Sequence, residues 1–188
     1  MAGLINRLRV LVDDGQPIVH GMLPIGDAYV CTNPLYGRGC STALWGAQLL
    51  SEAIAAHPDD AAATAVAYFG AVDEQIVPWY RASVNQDAEA KRVSRALLDG
   101  EDPDADTSDS RTFIRGVFRD GLAPAMRTDA VVLRAVFRNF NLLTPPDALL
   151  NDQDVSGRVL AAWNDRDNRP PEPRLGPASR KDLLELIS

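Results

Sequence analysis

The chain has 188 residues and 20.4 kDa, enough for one domain with a real core or one domain with an appendage, and too short for two full domains. Apolar residues make up 46% and charged residues 24%, which excludes disordered and fibrous classes. A net charge of −7, with no basic run to offset it, repels a phosphate backbone and argues against nucleic-acid binding; the longest apolar stretches fall short of a membrane span.

Strand signals come first. Leu8 to Val12 alternates, Asp14-Gly15 is a hairpin turn signal, and Pro17-Ile18-Val19 resumes an extended run, so a β-hairpin is expected over 4–20. Met22 to Ile25 reads as a short buried strand that stops at Gly26-Asp27.

From Gly39 the period changes. Cys40, Ala43, Leu44, Ala47, Leu50 and Ile54 predict one face of a helix of about four turns. A second helix is expected from Asp59-Asp60 through Phe69 and Val72 to Tyr80, kinked or ended near Val77 by Pro78. Gln86 to Leu98 predicts a third, with Ala88, Arg92, Val93, Ala96 and Leu97 inward and Gly100 as its stop.

The acidic run that follows places Asp102, Asp104 and Asp106 at alternate positions. An EF-hand loop needs glycine at its sixth position and glutamate at its twelfth, where this chain has Thr107 and Phe113, so a solvated loop that caps the next helix is expected. Further helices are predicted over Arg111 to Arg119, Thr128 to Phe140 and Asp152 to Asp165. Val131, Val132, Ala135, Val136, Asn139 and Phe140 mark the inner face of the second of these, and Val155, Val159 and Trp163 that of the last. Arg169 to Pro177 is proline-rich and reads as extended, and Ser179 with Asp182 forms a capping box for a closing helix through Leu183, Leu184 and Ile187.

The predicted class is thus mainly α, with an N-terminal β-hairpin and a short strand ahead of a helical, bundle-like C-terminal region. The division falls at 1–56 and 57–188. Cys31 and Cys40 with His20 and His57 do not make a zinc pattern, and two buried thiols, reduced in a cytoplasmic chain, are the expectation, with a disulfide between them the alternative that spacing leaves open. His20 and His57 are expected in solvent or capping a turn, and Trp45, Trp79 and Trp163 in core or groove positions. No Ser/His/Asp set, paired carboxylates or Walker-type loop supports hydrolase or phosphotransferase chemistry.

Chemistry concentrates in residues 21–54. A strand ending in Gly26-Asp27 is followed by a proline- and glycine-rich turn and then the start of a long helix. Gly37 and Gly39 allow close approach of backbone to a ligand, and the free N–H groups of the helix start suit an electron-rich ligand edge. Asp27 is placed to accept hydrogen bonds from ligand hydroxyls.

Gly26-Asp27-Ala28, Asn33-Pro34 and Gly37-Arg38-Gly39 together resemble the C-terminal FAD motif of the glutathione-reductase-type flavoprotein monooxygenases and their relatives, including flavin halogenases and geranylgeranyl reductases. The resemblance is strong over 21–54 and weaker beyond about residue 85. It implies that Asp27 holds the ribityl chain of FAD, that Pro34 lies beside the isoalloxazine, and that the backbone of Gly37, Arg38, Gly39 and Cys40 binds the pyrimidine edge. Tyr36 would lie near the ring or a substrate.

Those enzymes open with a G-x-G-x-x-G turn that binds pyrophosphate, and no such triplet occurs in these 188 residues. The expectation is an incomplete FAD-binding α/β fold: a C-terminal, FAD-contacting portion of an oxidoreductase, monooxygenase-like and acting on a small organic substrate, with weak FAD binding by this chain alone. A helical interaction module is the alternative, docking a partner chain or a second copy through an unpaired strand edge at 21–26 and the apolar helix faces.

Overall fold

The computed structural model describes residues 5–106, 108–170, 176–177 and 180–187. Helix dominates, and no helix among these residues is long and apolar enough to cross a membrane. The mainly α class is therefore as expected. A parallel sheet of the FAD-binding type is absent among the described residues; the strands form two antiparallel pairs only.

β1 (Arg7–Leu8), β2 (Val12–Asp13), β3 (Gln16–Pro17) and β4 (Val30–Cys31) are each two residues long. β2 and β3 form the expected hairpin, closed by Asp14 and Gly15 with φ of 45° and 72°, the left-handed pair that a tight hairpin turn requires. Its first predicted residue, Leu4, lies outside the described residues. β1 does not pair within the hairpin: Arg7 faces Cys31 and Leu8 faces Val30.

The strand expected over Met22 to Ile25 does not form. Pro24 has no N–H to give a ladder, and its carbonyl accepts the Tyr68 hydroxyl at 2.8 Å instead. The strand lies after Asp27 rather than before it, in β4. The strand edge at 21–26, through which a partner was expected to dock, is accordingly not present.

α1 (Gly39–Ala56) and α2 (Ala61–Gln75) pack on each other, and Asp60 caps α2 by accepting from the N–H groups of Ala62 and Ala63. The buried face of α1 is Gly46, Leu49 and Ala53, and the predicted face is rotated from it, since Leu44 and Ile54 are 74% and 49% exposed. Helix α2 approaches over the smallest residue: a Cβ on Gly46 would sit 3.6 Å from the Tyr68 hydroxyl and 3.5 Å from Ile25. Tyr29, Tyr68 and Phe69 form an aromatic cluster with centroids 5.0 to 6.3 Å apart, and with Leu49, Val72, Ile76 and Val77 they make the first core. Each such side chain contributes about 1.5–3 kcal/mol by burial.

α3 (Val77–Leu98) is one helix of 22 residues, where two segments were expected. Pro78 stands in its first turn, where a missing N–H costs nothing, so proline starts this helix and Tyr80 belongs to it. Ala88 and Leu97, expected inward, are exposed; Arg92 pairs with Glu89.

Beyond the acidic loop, Asp109 caps α4 (Ser110–Val117) through the Arg111 N–H, as expected of a loop that caps the next helix. The predicted helix to Arg119 passes at Phe118–Leu122 into a π-helical turn and then α5 (Ala123–Thr128). Asp129 separates α5 from α6 (Ala130–Phe140), so Thr128 ends one helix rather than opening the next. α7 (Ala148–Asn151) is short, and α8 (Gln153–Asn164) is capped by Asp152. Val132, Ala125, Val155 and Val159 form a second core, as the Val131–Val136 and Val155–Val159 patterns anticipate, whereas Phe140 is exposed. α9 (Arg180–Ile187) is the closing helix, with Leu183, Leu184 and Ile187 exposed. Ser179 of the expected capping box, and residues 171–175 of the proline-rich stretch, lie outside the described residues.

The two cores share no member. Arg115 of α4 ties them, bonding Glu89 of α3 and Asp104 of the acidic loop.

Candidate functional site

The turn between β4 and α1 is built by local chemistry. Asn33 accepts the Leu35 N–H on its side chain at 3.1 Å and opens a 3₁₀ turn, Pro34–Tyr36, with proline in the first position. Gly37 ends it at φ 65° with nothing within 4 Å of a Cβ built there, so glycine is required by conformation alone. The first helical bond of α1 runs from the Thr42 N–H to the Arg38 carbonyl at 2.9 Å. The N–H groups of Gly39, Cys40 and Ser41 precede it and carry the positive end of the helix dipole.

Gly26 and Asp27 come to this same helix start. They form a short 3₁₀ turn, Gly26–Ala28, in which Gly26 has φ 58° and a Cβ would meet that of Ala43 at 3.0 Å. The Asp27 Oδ1 lies 3.9 Å from where a Cβ on Gly39 would be. Gly26, Asp27, Gly37, Gly39 and Cys40 therefore converge at one end of α1, with Asp27, Pro34, Gly37 and Cys40 exposed.

Arg38 does not share that direction. Its guanidinium lies 4.6 Å from the Trp79 ring centre and 5.5 Å from that of Tyr36. Its Nε and Nη1 are buried with no hydrogen-bond partner among the described residues, and burial lowers its pKa from the ordinary arginine value, with Tyr36 opposing. Trp79 is a core residue, as expected.

A polar network that sequence reasoning missed fixes the turn from behind. Asp87 of α3 accepts from Asn6 Nδ2 at 2.6 Å, Asn33 Nδ2 at 3.0 Å and the Tyr36 hydroxyl at 2.8 Å, while the Asn33 N–H donates to Asn6 Oδ1 at 2.8 Å. Burial acts to raise the Asp87 pKa, but the three donated hydrogen bonds and Lys91 outweigh it and the group is held below the usual carboxylate range. Tyr36 is pushed up to about 12 by burial, its bond to Asp87 and that charge. In sequence Asp87 is one polar residue among several on a helix, and nothing marks it.

The remaining candidates are ordinary. His20 is exposed, and the His57 carbonyl ends α1 and accepts the Thr64 hydroxyl at 2.8 Å. Cys31 and Cys40 are both free thiols; Cys31 is half-buried, and Cys40, expected buried, is exposed in the first turn of α1. No group of three or more His, Cys, Asp or Glu among the described residues is placed to hold a metal ion. Comparison of the chain with family models, curated proteins and solved structures finds no match.

Proposed function

We propose that the chain supplies the flavin-contacting turn of an FAD-dependent oxidoreductase, monooxygenase-like and acting on a small organic substrate. The observation that carries the reading is the convergence of the Asp27 carboxylate with the free N–H groups of Gly39, Cys40 and Ser41 beside the left-handed Gly37. A carboxylate next to a row of N–H donors matches a ligand with hydroxyls at one end and carbonyl oxygens at the other, the ribityl chain and pyrimidine edge of a flavin.

FAD fits this end of α1 and only in part. Asp27 would accept from ribityl hydroxyls and the Gly37–Cys40 backbone would donate to the ring edge, while Pro34 stands exposed at the side of the turn. No described residue offers a second cradle for pyrophosphate at this turn, so weak binding by the chain alone is expected. A bound flavin would supply hydride and electron-transfer chemistry, and Asp27 with the Gly37–Cys40 backbone would bind and orient it. This reading places the chain in the cytoplasm, where Cys31 and Cys40 stay reduced.

Titration of the chain into FAD, followed by flavin fluorescence, tests this. Saturable quenching in the micromolar to millimolar range that Asp27→Ala weakens about tenfold supports it. Unsaturable quenching, or quenching indifferent to Asp27→Ala, overturns it.

A further inference from the structure

At the far end of the second core, a groove of about 630 Å³ lies between α5 and the chain that follows α8. Among the described residues, Arg119, Arg127, Arg166 and Arg169 line it with Asp120 as the single acidic residue, in a chain whose overall charge is −7.

Two of these arginines are held in place without having their charge taken by a hydrogen-bonded carboxylate. Arg166 donates from Nη1 to the Trp163 carbonyl at 3.0 Å, and its guanidinium lies over the Trp163 ring at 4.1 Å. Its Nη2 lies 3.9 Å from the carboxylate of the exposed Asp167. Arg169 donates from Nη2 to the main-chain carbonyl of Asp120, and its Nε is buried with no hydrogen-bond partner among the described residues.

The Asp120 carboxylate is already committed. Arg119 binds Asp120 as a fork, Nε to Oδ1 at 3.0 Å and Nη2 to Oδ2 at 2.8 Å. Asp120 sits below the usual carboxylate range, first through that bond, against burial, and then through the charges of Arg119, Arg169 and Arg166. A guanidinium anchored on a carbonyl keeps its full charge and loses its freedom, which is the state an anion site needs before its ligand arrives.

We propose that this groove binds a compact polyanion of the pyrophosphate class, seated on Arg166 and Arg169. Two anchored guanidiniums lining one groove match a ligand with two phosphates better than a single phosphate. The inference stands apart from the flavin reading and uses none of its residues.

Calorimetric titration of the full chain with sodium pyrophosphate tests it, with inorganic phosphate, ADP and sodium chloride at matched ionic strength alongside. Pyrophosphate is expected to bind saturably and about tenfold or more tighter than phosphate. Tighter binding of ADP would identify a nucleotide as the source of the diphosphate, and equal binding an inorganic or otherwise unadorned one; either supports the site. Arg169→Gln is expected to weaken binding about tenfold or more, and Arg166→Lys several-fold, because lysine keeps the charge and loses the fork. Arg158→Gln, which removes an arginine paired to Asp129 and Asp154 elsewhere on α8, leaves affinity unchanged. If Arg169→Gln does not fold, Arg166→Lys alone decides. Heats no greater than those of sodium chloride, or unaltered affinity in both groove variants, overturn the proposal.

Discussion

The Asp87 carboxylate and the Tyr36 hydroxyl meet at 2.8 Å across 51 positions of sequence, and this contact joins the glycine turn to the middle of α3. Asp87 also takes the Asn6 and Asn33 amides, so one carboxylate fixes the N-terminal chain, the 3₁₀ turn and the aromatic ring that flanks Arg38. The turn at the start of α1 is hydrogen-bonded to a residue far from it in sequence.

Replacing that residue loosens the turn. Asp87→Ala leaves three donors without their acceptor and is expected to cost about 2–3 kcal/mol in urea unfolding. The Tyr36 phenol should then fall from about 12 towards its ordinary value, read by spectrophotometric titration. An unchanged tyrosine titration would show that the bond does not form in solution.

Stability should fall at both extremes of pH through the same pair. Asp87 has a lowered folded pKa, so its contribution is present above the ordinary carboxylate pKa and is lost as pH falls through the folded value. Tyr36 has a raised folded pKa, so its contribution is complete below pH about 10 and is lost as pH rises towards about 12. Urea midpoints of wild type and Tyr36→Phe across pH 8 to 12 measure the second: the alkaline slope should be shallower in the variant.

Arg38 and Trp79 predict effects of opposite kind. Trp79→Ala removes a buried ring and leaves a cavity, and should cost about 3–5 kcal/mol. Arg38→Met keeps an unbranched chain against the ring and removes a buried charge with two unpartnered nitrogens, so stability should hold or rise by about 1 kcal/mol. A loss of several kcal/mol on Arg38→Met would show that the guanidinium has a carboxylate partner in solution.

Gly121 sits where the π-helical turn meets α8. A Cβ there would lie 2.9 Å from the Val159 carbonyl oxygen and 3.0 Å from the Trp163 Cβ, and neither can move alone. Gly121→Ala is therefore expected to destabilise the protein by about 1–3 kcal/mol, while Gly157→Ala, with nothing within 4 Å, should be neutral or stabilising.

The local devices were legible in sequence. The Asp14-Gly15 turn, the helix starts at Gly39 and at Asp59-Asp60, the acidic loop that caps the next helix and the Val155–Val159 face are written in neighbouring residues, and each stands in the fold as read. What failed depends on partners distant in sequence. The buried face of α1 follows Gly46, where Tyr68 approaches, and glycine carries no hydrophobic signal. Met22 to Ile25 reads as a strand by apolarity, but its Pro24 carbonyl is claimed by Tyr68. Pro78 punctuates the chain in sequence, yet whether it ends one helix or starts the next is settled by the packing of Val77 and Trp79 in the core. The glycines and Asp27 of the candidate site were visible; Asp87, Asn6 and the inward turn of Arg38 were not, since each is defined by a contact across the fold.

Amide chemical-shift perturbation on titrating riboflavin into the labelled chain tests whether the end of α1 contacts a flavin. Concentration-dependent shifts are expected at Gly37, Gly39, Cys40 and Ser41, suppressed in Asp27→Ala, with the amides of α8 unmoved. Shifts confined to other segments, or none at millimolar riboflavin, would contradict it.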